Sequence, residues 1–263
     1  MNKVASESIK FLNFDLLNQN SSCRHFISIR KGGVSKGLYS SLNLSFKVGD
    51  NPEHVIENRK RIANEMGISI KDLIIPDHCH TDRVRVLTGR PAENELASTD
   101  ALITHKKGLC LCVLTADCVP VLLCDPQKKV IAAVHAGWRG TASRIVSRTL
   151  ELMIRVFGSK PENILAGIGP AISQLNYEVG VEVVNRFEFL FSDCPEIFWK
   201  NTQTGKTHID LQAANRVLLQ RGGLSEEHIQ ISQICTFANS DLLYSARRDG
   251  LKCGRFGAGI MLT

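Results

Sequence analysis

Two imidazoles and a thiol, on His80, Cys118 and His135, stand where strand-like runs give way to loops. They are 38 and 17 positions apart, so no local metal-finger spacing joins them. Position joins them instead: if those strands are neighbours, their ends converge. Two imidazoles and a thiolate suit Zn²⁺, and three protein ligands leave a fourth position open, which is the arrangement of a catalytic zinc. Such an ion lowers the pKa of a bound water or holds an anionic nucleophile. Asp82 and Asp117 are the acids placed to orient a ligand histidine. The same residues permit a metal-free alternative, with Cys118 as nucleophile and His135 as its base. They also permit a bland one, in which the cysteine is a small hydrophobe and the histidine is simply hydrogen-bonded. Residue types alone leave these readings open.

Two further features suit an anion. In His135-Ala136-Gly137-Trp138-Arg139-Gly140-Thr141 the glycines permit close backbone approach, the segment feeds a helix N-terminus, and Arg139 supplies a charged fork. Late in the chain, Arg247-Arg248 puts two guanidinium groups beside a turn, as a phosphate pocket requires, although paired arginines are more often solvated surface. Neither a Walker A nor a GxGxxG pattern is present.

The elements that must position these groups centre on the most apolar stretch, residues 109–141. Runs over 109–114, 119–123 and 130–134 read as strands, with Asp125-Pro126 turning the second into the third. Residues 142–157 carry Ile145, Val146, Thr149, Leu150, Met153, Val156 and Phe157 on one face of an amphipathic helix. Upstream, residues 25–30 alternate as a strand, and Asn43 in the small, polar 37–45 segment is directed inward. Asp50-Asn51-Pro52-Glu53 starts a helix that Gly67 stops. Downstream come a strand over 164–168, helices over 181–191 and 211–220, an alternating run over 229–237 and a final strand over 255–261. The irregular mix of strands and helices predicts one mixed α/β or α+β domain over residues 25–263, preceded by an edge strand or irregular lead-in over 1–24.

Composition narrows the class. The 263 residues are 43% hydrophobic, enough for a sizeable core. The net charge of +6 comes with no dense basic block, which argues against nucleic acid and suits an anionic small substrate equally well. Nine cysteines in mostly apolar contexts do not make a disulfide framework, and neither a signal peptide nor a membrane-spanning run is visible. The expectation is a cytoplasmic protein with reduced thiols, away from membranes.

Residues 26–261 resemble the laccase-domain family (polyphenol oxidase, YfiH-type), regarded as purine nucleoside phosphorylases with adenosine deaminase activity. The likeness runs through Arg30-Lys31-Gly32-Gly33-Val34-Ser35, Ser41-Leu42-Asn43-Leu44-Ser45, Glu57-Asn58-Arg59, Thr115-Ala116-Asp117-Cys118-Val119-Pro120 and His135-Ala136-Gly137-Trp138-Arg139-Gly140. Gly169-Pro170, Tyr177-Glu178-Val179-Gly180 and Arg247-Arg248-Asp249-Gly250 complete it. The resemblance implies a layered α-β-β-α sandwich, similar to the bacterial cytotoxic-necrotising-factor toxins and their cysteine-hydrolase-like fold. It implies His80, Cys118 and His135 as zinc ligands and catalytic residues, with copper as the other metal to consider. Asn43, Arg59, Arg139 and Arg248 then become the candidates for binding substrate and phosphate. The partners implied are purine nucleosides and phosphate, in a monomer or homodimer. Two departures stand out: His78-Cys79-His80-Thr81 replaces the family's usual Gln-Val-His-Gly, and Asn176 replaces a cysteine. The older oxidase reading meets an obstacle, since a multicopper oxidase needs on the order of ten histidines and this chain has eight. A metal-free Cys-His hydrolase remains the other rival.

Overall fold

Successive side chains of a strand point to opposite faces, and in the central stretch both faces are covered. The computed structural model describes residues 9–19 and 21–263; residues 1–8 and Asn20 of the expected lead-in lie outside the described residues. Along Val119–Asp125 and Val130–Ala136, the residues Leu122, Cys124, Ile131 and Ala133 meet Leu111, Val113, Ala258 and Ile260 of a second sheet. Their neighbours Val121, Leu123, Ala132 and Val134 meet the opposite layer, where helices Ile145–Phe157, Val181–Phe191 and Leu211–Arg221 supply Leu150, Phe187 and Leu218. On the far side of the second sheet, Phe26, Cys110 and Cys112 pack on Ile62 and Met66, in and just after helix Pro52–Glu65. Three apolar seams therefore hold four layers, helix–sheet–sheet–helix, in a mixed α/β domain.

The first sheet has six strands in the order Ile229–Ile231, Leu165–Ile168, Val119–Asp125, Val130–Ala136, Ala101–Thr104, Val84–Leu87. The second has five, in the order Phe11–Leu12, Cys23–Ser28, Phe256–Leu262, Cys110–Thr115, Leu73–Ile74. A small sheet of three, Glu178–Val179, Thr207–Ile209 and Phe198–Lys200, stands apart from both. The hairpin at Asp125-Pro126 forms as the sequence predicts, with the Asp125 carboxylate accepting the N–H groups of Gln127 and Lys128 at 2.9 and 3.0 Å.

Three details refine the sequence reading. Cys110–Thr115 and Val119–Asp125 belong to different sheets, so the chain crosses from one to the other at Ala116-Asp117-Cys118 and leaves Cys118 at the seam. That crossing needs Asp117 at φ +94°, and the Thr115 hydroxyl closes it on the Cys118 carbonyl at 2.6 Å. The single helix expected over 142–157 is two helices, Trp138–Ala142 and Ile145–Phe157, broken at Arg144 with φ +59°. The break folds Ile145 back against Gly140, where an added Cβ would lie 3.3 Å from both Ile145 Cγ2 and the Thr81 carbonyl. The run over 229–237 stays a strand only for Ile229–Ile231, after which Ala171 and Cys235 form an isolated bridge. The described part of the lead-in carries the edge strand that the sequence allows, Phe11–Leu12, and buries Phe14 and Leu17. Among the described residues no helix is long and apolar enough to cross a membrane, and the nine cysteines are free thiols.

Candidate metal centre and its cavity

The centre is built around Asp100. This residue immediately precedes the Ala101–Thr104 strand, which pairs with Val130–Ala136 so that Ala101 faces Val134. That register puts His135 beside Asp100, whose carbonyl accepts the His135 backbone N–H at 2.7 Å. Its carboxylate meets the ring Nδ1 of His135 at 2.9 Å. The same buried carboxylate accepts the N–H groups of Cys79, His80 and Thr81 at 3.2, 3.1 and 2.7 Å, and the Thr81 hydroxyl at 2.8 Å. One side chain thus pins the loop carrying His80 to the strand end carrying His135. His80 sits at φ +58° in that loop, and its ring lies edge-on to His135, centroids 5.0 Å apart.

Cys118 completes the cluster from the seam between the sheets. The donor atoms of His80, Cys118 and His135 all lie within 4.8 Å of one another. Gly137 makes room for them: a Cβ there would stand 2.8 Å from Cys118 Sγ and 3.2 Å from His80 Cδ2. Two imidazole nitrogens and a sulfur at this separation suit a tetrahedral Zn²⁺ with its fourth position free, and also a single copper ion. The second ring nitrogen of His135 is already committed to Asp100, the support that metal-binding histidines characteristically have.

Without a metal bound the electrostatics favour an ionised pair, in which His135 carries a proton that a metal would displace. Burial pushes the Cys118 thiol up, but the His135 charge and hydrogen bonds from His135 and His80 outweigh it and bring the pKa to about 6. Burial pulls His135 down, while the Cys118 thiolate and Asp100 raise it to about 9. Burial also opposes ionisation of Asp100, yet its bonds to His135 and Thr81 hold it below the ordinary carboxylate range. The sign for Cys118 is that of a depressed acid: thiolate above about pH 6, thiol below it. In metal-stripped protein, iodoacetamide is therefore expected to modify Cys118 readily at pH 7, where an ordinary thiol is only a few per cent ionised. Mass spectrometry of the labelled peptide checks this; a rate that rises only above pH 8 would show that the pair does not form.

The triad lines a cavity of about 680 Å³ shared with Arg59, Tyr177, Phe46 and Leu251. Arg59 donates its Nε to the Leu44 carbonyl at 2.9 Å and stacks on Phe46, and burial lowers its pKa to about 10. Among the described residues no carboxylate pairs with it. A half-buried guanidinium with no carboxylate beside it is a ready partner for an anion entering the cavity.

Residues 24–263 match the family model described as multi-copper polyphenol oxidoreductase laccase. The chain belongs to this laccase-like family. It is 39% identical over 260 residues to a protein from Bacteroides thetaiotaomicron named purine nucleoside phosphorylase, covering 96% of each chain. It is also 39% identical over 241 residues to adenosine deaminase RL5 from an unknown prokaryotic organism, covering 89% of this chain and 92% of that one. The crystal structure of YfiH from Bacillus licheniformis superposes with a TM-score of 0.91 at 32% identity, covering 99% and 98% of the two chains.

Within this laccase-like domain the site residues expected from the sequence fall into two groups. His80, Cys118, His135 and Arg59 meet at the cavity, whereas three others do not reach it. Asn43 is fully buried scaffold: its amide donates to the Ser45 carbonyl and Asp50, and its oxygen accepts the N–H groups of Ser45 and Arg255. With both ends of the amide engaged, it has nothing to offer a substrate. Arg248 is likewise committed, to the Thr236, Phe237 and Leu243 carbonyls and to Asp249. Its neighbour Arg247 lines the cavity instead, over the Tyr177 ring. Arg139 is exposed and lies over Trp138, outside the cavity lining, although its charge reaches Tyr177.

The two acids expected to orient a ligand also have other duties. Asp82 pairs with Arg148 at 2.9 Å, and Asp117 accepts the Thr236 hydroxyl and the Arg247 N–H. Asp100 takes the role they were given, and Tyr177, Arg247 and Arg255 join the lining. The family motifs upstream resolve into one hub. Asn58 donates to Ser35 Oγ and the Asn43 carbonyl and accepts the Val34 N–H, which fixes the turn of helix that carries Arg59.

Proposed function

We propose that this chain is a zinc-dependent purine nucleoside phosphorylase. It takes adenosine, inosine, guanosine or S-methyl-5′-thioadenosine with phosphate to the free base and the sugar 1-phosphate, and deaminates adenosine as a second activity. The observation that carries the reading is that one cavity joins a His₂Cys donor set to the counter-charge-free guanidinium of Arg59. The names of the relatives support it. A zinc ion held by His80, Cys118 and His135 would supply a Lewis acid and a bound water of lowered pKa.

The chain's own groups do the rest. Arg59 holds phosphate through its terminal nitrogens, Arg247 takes the place first assigned to Arg248, and Arg139 adds positive charge near Tyr177. A phosphate oxygen attacks C1′ as the bond from C1′ to the base nitrogen breaks. The bonding pair leaves with the purine nitrogen, which takes up the proton that the phosphate gives up as its oxygen bonds to C1′. Burial, and then the Cys118 charge, push the Tyr177 ionisation upward, so the phenol stays a hydrogen-bond donor for the departing base or a ribose hydroxyl.

Purified, metal-loaded protein is expected to release hypoxanthine from inosine only when phosphate is present. Arg59→Met is expected to raise the phosphate KM by on the order of tenfold or more, with metal content unchanged. Absence of phosphate-dependent base release from all four nucleosides would overturn the reading; an unchanged phosphate KM in the variant would move the anion away from Arg59. The copper named in the family description suits the same donor set, and metal analysis of protein purified without added copper separates the two ions.

A further inference from the structure

Phe46 is an unusual residue for its position. It remains 45% exposed at the cavity rim, yet hydrogen bonds hold its segment from both sides. Asn43 grips Ser45 through both backbone groups at 3.0 Å. The Ser45 hydroxyl caps the short 3-10 helix Phe46–Val48 by accepting the Lys47 N–H at 3.2 Å. The Tyr39 hydroxyl donates to the Val48 carbonyl at 3.0 Å, and Lys47 forms an ion pair with Asp77 of the loop that carries His80. One face of the Phe46 ring is already occupied, with the Arg59 guanidinium carbon 4.4 Å from the ring centroid. Leu251, 80% exposed, lines the same cavity. Exposed apolar side chains normally gain by burial, and an exposed aromatic held rigid from behind loses little entropy when a flat ligand covers it.

We infer that Phe46 is the platform on which the nucleoside base stacks, with Arg59 behind the ring fixing its plane. The inference rests on the phosphorylase reading and names the part of the site that recognises the base. Stacking on an aromatic face reads area rather than a hydrogen-bonding edge. A bicyclic purine therefore gains more from Phe46 than a pyrimidine does, while adenine, guanine and hypoxanthine gain alike.

The test compares wild type, Phe46→Ala and Phe46→Tyr in two measurements: steady-state kinetics with inosine and phosphate, and quenching of 2-aminopurine riboside fluorescence on binding. In Phe46→Ala the inosine KM and the 2-aminopurine riboside Kd are expected to rise roughly tenfold or more. The phosphate KM and metal content should stay near wild type, and uridine should compete almost as well as a purine nucleoside. Phe46→Tyr should retain wild-type behaviour. Turnover without a change in either value in Phe46→Ala would overturn the platform and leave the phosphorylase reading standing. Saturable quenching that Phe46→Ala abolishes, in a protein without turnover, would sink the phosphorylase reading and keep the platform. A phosphate KM that rises as much as the inosine KM would mean that Phe46 acts only through Arg59, and that too would overturn it.

Discussion

Replacing His135 by alanine is expected to lower phosphorolysis by on the order of a thousandfold or more and to leave the protein largely without bound metal. The residue serves two partners at once. One ring nitrogen completes the His80–Cys118–His135 donor set, and the other is held by Asp100 at 2.9 Å. Removing the ring takes away a ligand and leaves a buried carboxylate with backbone donors but no ring. In the metal-free protein it also removes the positive charge that keeps Cys118 ionised. A thiol must give up its proton before it can ligate, so metal uptake is weakened at two of the three donors by one substitution. Because an alanine also opens a void among buried residues, Cys118→Ser serves as the companion: it preserves volume and removes only the sulfur. Both variants should lose metal, by elemental analysis, together with hypoxanthine release. Retention of wild-type turnover in metal-free His135→Ala would remove the metal from the chemistry and favour a mechanism built on the other cavity residues.

The parts of this centre that were legible in the sequence are those that sit on strands. His135 and Cys118 flank runs that are apolar almost throughout, and the Asp125-Pro126 turn fixes the hairpin between them. What pattern could not show is which sheet each run joins. Residues 109–114 and 119–123 look like neighbours, yet they belong to separate sheets, because four covered layers leave no polar face to mark the crossing. Asp100 went unassigned for a related reason: its role depends on a pairing between Ala101–Thr104 and Val130–Ala136 across some thirty residues, and only the register reveals it. The signal was an acid directly before the apolar run Ala101-Leu102-Ile103, which a buried partner must justify. Arg247 and Arg248 are indistinguishable by composition. A four-residue helix, Ala246–Asp249, turns one toward the cavity and the other toward backbone carbonyls. Asn43 was read correctly as pointing inward, but an inward amide can serve a loop as well as a ligand, and here the loop engages both of its ends.

Asp100→Asn is the substitution expected to separate positioning from ligation. The carboxylate accepts from both sides: Oδ1 takes His135 Nδ1 and the His80 N–H, and Oδ2 takes the N–H groups of Cys79 and Thr81 and the Thr81 hydroxyl. An asparagine has one acceptor oxygen and one NH₂ donor, so whichever way it turns, the NH₂ faces donors. Turned toward Thr81, it loosens the loop that carries His80; turned toward His135, it forces the other ring tautomer and spoils the nitrogen that faces the metal position. Metal affinity is expected to fall by about 10- to 100-fold, with kcat recovering when zinc is supplied in excess, unlike in His135→Ala. The pH dependence of stability should change as well. In the wild type the folded Asp100 pKa lies below the unfolded value of about 4, so its contribution is fully present above that value and is lost as the pH falls through the folded pKa. Asparagine cannot titrate, and the acid limb of the unfolding curve should flatten accordingly. Zinc titration of the variant, followed by competition with a chelator, measures the first effect, and unfolding followed between about pH 2 and 5 measures the second. Wild-type zinc affinity in a folded Asp100→Asn protein would show that His135 is oriented by packing alone and that the carboxylate serves only the loop.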